Sequence, residues 1–187
     1  DDVNLSANQI IDSYQSRINQ LISKSEILDS LGQNLVVSAD TFICSRNSTK
    51  LKTILAGLPW FTDWGRDTMI AFTGLTLVTK RFDEAKQILK SFAIYEKNGL
   101  IPNMFPDDGV EPYYNTVDAS LWYFYAIYKY VNYTNDYEFV EIELYPVLKN
   151  IIKAYSTSTL FSIGMDSDYL IHAGSDLDQV TWMDVRV

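Results

Sequence analysis

Three stretches hold the residue types that chemistry needs. PWFTDWGRD (59–67) crowds two Trp, a Phe, two Asp and an Arg around one glycine, just before an apolar run. Sugars offer hydroxyls for charged hydrogen bonds and apolar C–H faces for ring stacking, so Trp, Asp and Arg together make a natural sugar subsite. The same letters also read as a helix start, with Thr62 or Asp63 as N-cap and Asp67 in the first turn. Both readings stand, because a helix N-terminus can hold both.

YYNTVDASLW (113–122) puts Asp118 at the opening of an aromatic helix, four residues before Trp122. Asp118 is either a first-turn acid favoured by the helix dipole, with Thr116 or Asn115 as cap, or a general acid that protonates a glycosidic oxygen. A proton donor must hold its proton while the dipole favours the ionised form. Burial among Tyr113, Tyr114, Trp122 and Tyr123 is therefore expected to desolvate it. The third stretch, 97–116, is a long Pro- and Gly-containing connection too rich in Tyr, Phe and Met for disorder, and reads as an ordered site loop. Within it Asp107-Asp108-Gly109 is a turn, with Asn103 or Asp107 facing a ligand.

Other chemistries lack their residues. Asp166, Asp168, Asp176 and Asp178 miss calcium-loop spacing, and His172, the sole histidine, supports neither a zinc site nor a triad. No metal and no cofactor are implied. Net charge is −9 with no dense Lys or Arg run, which argues against nucleic acid. No apolar stretch suggests a membrane span or a leader. One cysteine, Cys44, precludes an intrachain disulfide and fits a cytoplasmic setting.

The elements that must position these residues are mainly helical. Apolar spacing predicts a helix over 5–31 stopped by Gly32, a second over 35–43, a strand in LKTILAGL, a buried helix over 64–78 and an amphipathic one over 83–95. An aromatic helix then opens near Val117, its neighbour runs through EFVEIELYPVLKNIIKAY with Pro146 as the weak point, and a strand over 169–172 precedes a helix start near Trp182. Helices in apolar and amphipathic pairs suit an all-α double ring with the long loops at one end.

SADTFI (38–43), TILAGLPWFTDWGRDTMIA (53–71), GLIPNMFPD (99–107), YNTVDASLW (114–122) and QVTWMD (179–184), in order, resemble the C-terminal amylo-α-1,6-glucosidase domain of glycogen debranching enzymes. Glucoamylase-, trehalase- and invertase-type hydrolases share the Trp, Arg and Asp theme more loosely. A carbohydrate-binding module without turnover and a purely structural use of the rings are the alternatives outside that class.

What the resemblance implies is an (α/α)6 toroid, of which residues 1–187 would be the N-terminal half, truncated at both ends. It implies inverting hydrolysis of α-1,6-linked glucose in glycogen or limit dextrin, with the acid on Asp118 and the general base beyond Val187. Trp60, Asp63, Trp64, Arg66 and Asp67 would line the glucose subsite, joined by Asn103, Asp107, Tyr114, Asn115, Trp122, Trp182 and Asp184. A half ring is expected to be inactive alone and to expose an apolar flank, open to self-association or to the remainder of its own chain.

Overall fold

The computed structural model describes residues 6–106, 110–175 and 178–182. The chain is mostly helical, with two small antiparallel hairpins. Helix α1 (Ala7–Ser25) opens on a capping box, in which Gln9 N donates to Ser6 Oγ (3.3 Å) and Ser6 N donates to Gln9 Oε1 (2.8 Å). It ends earlier than its apolar spacing predicts, because Glu26 takes a left-handed conformation (φ 58°). The next helix, α2 (Ser30–Asp40), begins on Asp29, whose carboxylate accepts from Gly32 N (2.8 Å). Gly32 is thus inside a first turn and not a stop, and the second helix lies five residues ahead of its expected start.

Strands β1 (Ile43–Ser45) and β2 (Lys52–Ile54) pair Ile43 with Ile54 and Ser45 with Lys52. Helix α3 (Gly65–Phe72) continues through a π-turn, Thr73–Leu77, and α4 (Phe82–Ile94) buries the stripe Ala85, Ile88, Leu89 and Phe92. Helix α5 (Asp118–Thr134) follows the long connection. A short α6 (Tyr137–Phe139) runs by a second π-turn, Val140–Leu144, into α7 (Tyr145–Thr157). Pro146 falls in the first turn of α7, where its missing N–H costs no hydrogen bond, and the register change sits just before it. Strands β3 (Gly164–Met165) and β4 (Ile171–His172) form the second hairpin. Residues 178–182 are not helical, and residues 183–187, where a helix near Trp182 would continue, lie outside the described residues.

Helices α3 and α5 pack on each other, and α4 packs on α5 and β2. Met69, Phe72, Leu77, Phe92, Leu100, Ile101 and Tyr123 are fully buried within one core. Tyr123 donates to Leu89 O (2.8 Å), which satisfies its hydroxyl inside that core. A satellite cluster of Ile18, Leu21 and Val36 joins α1 to α2. Among the described residues no helix is long and apolar enough to cross a membrane.

The α1–α2 pair is tied on by charge. Arg81, only 1% exposed, donates through Nη1 to Asp40 (2.7 Å) and through Nε to Glu84 (3.1 Å), while Arg17 Nε reaches Asp40 from α1 (3.1 Å). Burial raises the Asp40 carboxyl, but the Arg17 and Arg81 donors outweigh it and hold it below its ordinary 3.8.

Two outcomes follow from this frame. A folded-state value below the unfolded one means that Asp40 stabilises fully above its ordinary value and less as pH falls through the folded-state one. Urea unfolding across pH 7 to 3 is expected to show a decline that Asp40→Asn makes shallower, from a lower starting stability at pH 7. At the start of α3, a methyl on Gly65 would collide with the Pro102 carbonyl and press on the Ala119 side chain. Gly65→Ala is expected to cost about 1–3 kcal/mol by thermal or urea unfolding.

Candidate active site

The site is assembled by backbone pairing around residues 101–105. On one side Gly65 N donates to Asn103 O (2.8 Å) and Phe105 N to Asp63 O (3.2 Å). On the other Asn103 N donates to Tyr113 O (2.7 Å) and Tyr113 N to Met104 O (3.0 Å). Close approach of this segment to the start of α3 is what requires a glycine at 65. Ile101 N, buried, finds its acceptor in Ser120 Oγ (2.9 Å) on α5. The described parts of this connection, 97–106 and 110–116, are therefore tied to both helices that carry site residues.

A second set of bonds fixes the start of α5. Thr116 accepts from Ala119 N (3.3 Å) and donates its hydroxyl to Asp118 Oδ1 (2.8 Å), but the N-cap position falls on Val117, with no side-chain cap bond, where the sequence predicts Thr116 or Asn115. Tyr155, from α7, donates to Val117 O (2.6 Å). Its hydroxyl is pushed up to about 12, first by burial and further by the Asp118 charge, and so stays a neutral donor. Residues 178–182 return to the same place: Val117 N donates to Val180 O (2.8 Å) and Asn115 Nδ2 to Gln179 O (3.3 Å).

Between these segments lies a cleft of about 550 Å³, lined by Ala56, Phe61, Trp64, Arg66, Asp67, Asn103, Met104, Tyr113, Asn115, Gln179, Thr181 and Trp182. Arg66 Nε donates to Asp118 Oδ2 (2.6 Å) at its edge, joining positions 52 apart in the chain. Both side chains are partly exposed, 17% and 22%. Asn103 Nδ2 donates to Asn115 Oδ1 (3.2 Å). Rings, amides, a guanidinium and the Asp67 carboxylate thus meet around a space the size of a small ligand, and Asp118 joins them through Arg66 without being part of the lining. A smaller apolar hollow of about 380 Å³, lined by Phe42, Ile54, Leu55, Ile70 and Leu75, adjoins it and shares Ala56 and Asp67.

Six of the residues expected at a sugar subsite line this cleft: Trp64, Arg66, Asp67, Asn103, Asn115 and Trp182. Four do not. Asp63 is fully buried, its carboxylate accepting from both guanidinium arms of Arg46 (Nε at 2.7 Å) and from Thr53 Oγ1 (2.7 Å). It is not the α3 cap either: Trp64 holds that position, with no side-chain cap bond. Trp60 is 84% exposed and outside the lining. Tyr114 packs against the core and donates to Tyr95 O (2.7 Å). Trp122 stacks edge-on against Tyr125 at 5.6 Å, half-buried beside the core.

Of the rings expected to enclose Asp118, Tyr123 is sequestered in the core, and the carboxylate accepts hydrogen bonds from Arg66 and Thr116. Asp107 and Asp184 lie outside the described residues. Phe61, Met104, Tyr113, Gln179 and Thr181 line the cleft without having stood out in sequence, Tyr113 only as a ring near Asp118. Arg46, in a polar turn, gave no signal beyond its charge. Among the described residues no three His, Cys, Asp or Glu side chains gather as a metal site.

Residues 37–187 match the family described as amylo-alpha-1,6-glucosidase. A glycogen debranching enzyme of Saccharomyces cerevisiae (strain ATCC 204508 / S288c) is 44% identical over 84 residues, which are 42% of this chain and 5% of that protein. The chain therefore spans a small part of the curated relative it matches. Every residue that lines the cleft, from Ala56 to Trp182, falls inside the family match, and the chain belongs to the amylo-alpha-1,6-glucosidase family.

Proposed function

We propose that this chain forms the glucose-binding and proton-donating part of a glycoside hydrolase that removes α-1,6-linked glucose at branch points of glycogen or limit dextrin. The observation that carries the reading is the meeting of Arg66 and Asp118 at the edge of a cleft walled by Trp64, Asp67, Asn103, Asn115 and Trp182. Trp64 and Trp182 would stack on the glucose faces, and Arg66, Asp67 and the two amides would take its hydroxyls. Asp118 would give its proton to the leaving glycosidic oxygen. A proton donor must be neutral at that moment, so substrate entry has to draw Arg66 off Asp118 and onto a sugar hydroxyl.

Inversion asks for a second carboxylate that activates water from the opposite face of the sugar. The reading assigns it to the other half of an (α/α)6 ring, outside this chain. Helix pairs α3/α4 and α5/α7, with exposed Ile70 and Val78 on one flank and Leu121, Tyr125 and Tyr128 on another, suit a ring that continues beyond them. On this reading residues 1–187 alone release no glucose. Cys44 as the sole thiol accords with a cytoplasmic enzyme.

Glucose release from a branched limit dextrin, measured on the complete polypeptide, tests the chemistry. Asp118→Asn is expected to lower kcat by roughly 10²–10⁴-fold with KM little changed; unimpaired turnover would remove Asp118 from the donor's role. Binding is tested by titrating isomaltose against Trp emission. Trp64→Ala is expected to remove most of the signal change and to weaken affinity by about 1–3 kcal/mol, whereas Trp122→Phe leaves both in place.

A further inference from the structure

We propose that Arg46 is a positioning residue of the cleft, acting through the buried Asp63 to set the placement of Trp64 and of the segment 103–105. Arg46 follows β1 and its side chain is only 13% exposed. Its guanidinium carbon lies over the Phe105 ring, 4.3 Å from the centroid, while its N–H groups hold the Asp63 carboxylate. Thr53, on β2, donates to the same carboxylate (2.7 Å). Three chain segments are joined at one point: the β1–β2 hairpin, the stretch that leads into α3, and the segment that walls the cleft.

Placement gives this cluster its consequence. Asp63 is followed directly by Trp64, which pairs by backbone with Met104, and Phe105 N donates to Asp63 O (3.2 Å). A shift at Asp63 therefore moves a ring and a backbone wall of the cleft together. Stability alone is a poor reason for such a pair, because well-packed apolar residues commonly replace a buried ion pair without loss. Geometry is a better one: a planar guanidinium with two fixed donors and a stacked face defines the position of its partners as an aliphatic contact cannot. Among the described residues, the Arg46 side chain bonds to Asp63 and lies over Phe105, neither of which lines the cleft, so it works one layer behind the site.

Arg46→Lys keeps the charge but loses the fork and the stacked plane. The double variant Arg46→Met/Asp63→Leu removes both charges and is expected to recover most of the thermal stability that the single change loses. Indole N–H resonances of Trp64, and side-chain amides of Asn103 and Asn115, are read by proton–nitrogen correlation NMR on this chain, with the Trp122 indole as a distant control. Positioning by Arg46 predicts that the Trp64 and Asn103 signals shift in both variants and stay shifted in the double variant after Tm has recovered. Their return to wild-type positions along with Tm, or no shift in either variant, overturns the proposal.

A second arm measures isomaltose affinity on the complete polypeptide, where Arg46→Lys is expected to weaken binding roughly tenfold. This arm rests on the cleft being a glucose subsite and the spectral arm does not. Wild-type protein that binds no isomaltose sinks the substrate reading while the resonances still decide the role of Arg46. Wild-type binding with unchanged affinity in Arg46→Lys overturns the positioning role.

Discussion

Buried backbone must find hydrogen-bond partners, and in this protein the segment 101–105 finds them on both sides. It has no strand partner of its own in sequence, so it borrows the approach to α3 on one flank and Tyr113 on the other. That borrowing is possible only where two main chains come close enough, which is why residue 65 carries no Cβ. Everything at the cleft hangs on the consequence. Trp64 and Arg66 flank the glycine, Asn103 and Met104 lie on the borrowed segment, and Ser120, two residues past Asp118, receives the buried Ile101 N–H.

Charge is used in two different ways around that frame. At the cleft edge Arg66 and Asp118 are both reachable by solvent, so their pairing is a contact that a ligand can exchange. Behind the cleft Asp63 is fully buried under Arg46, and Arg81, 1% exposed, holds Asp40, so each pair has a sequestered member and joins segments distant in sequence. An exposed pair is weak and adjustable, whereas a buried one is costly to break. Desolvation, and not residue type, separates the two groups of Asp and Arg.

That separation also explains what the sequence could and could not tell. The long periodic helix α4 was legible within one residue at each end and α5 within one at its start, because their burial follows a helical repeat that the letters carry. The break between α1 and α2 was not, since Glu26 enters the left-handed region without the glycine that normally announces it. At the cleft, the motifs and the resemblance together single out six of the twelve lining residues. Composition could not tell Asp63 from Asp67, four positions apart in the same cluster, because inside or outside is decided by Arg46 and Thr53, which lie 17 and 10 residues upstream. Gln179 and Thr181 lie in the QVTWMD stretch that the resemblance covers, but only Trp182 and Asp184 stand out there by type; the bonds from Val117 to Val180 and from Asn115 to Gln179 bring their neighbours to the cleft as well.

The links that bring residues 103, 113 and 180 to the cleft run mostly through main-chain N–H and C=O groups. Such bonds are indifferent to the side chain attached, proline excepted. Positions such as Met104 and Tyr113 can therefore drift over generations while the frame that presents them persists. Relatives built on one such scaffold could differ in what their clefts hold by changing what projects from the wall, with the buried arginine and the glycine as the places where a change costs most.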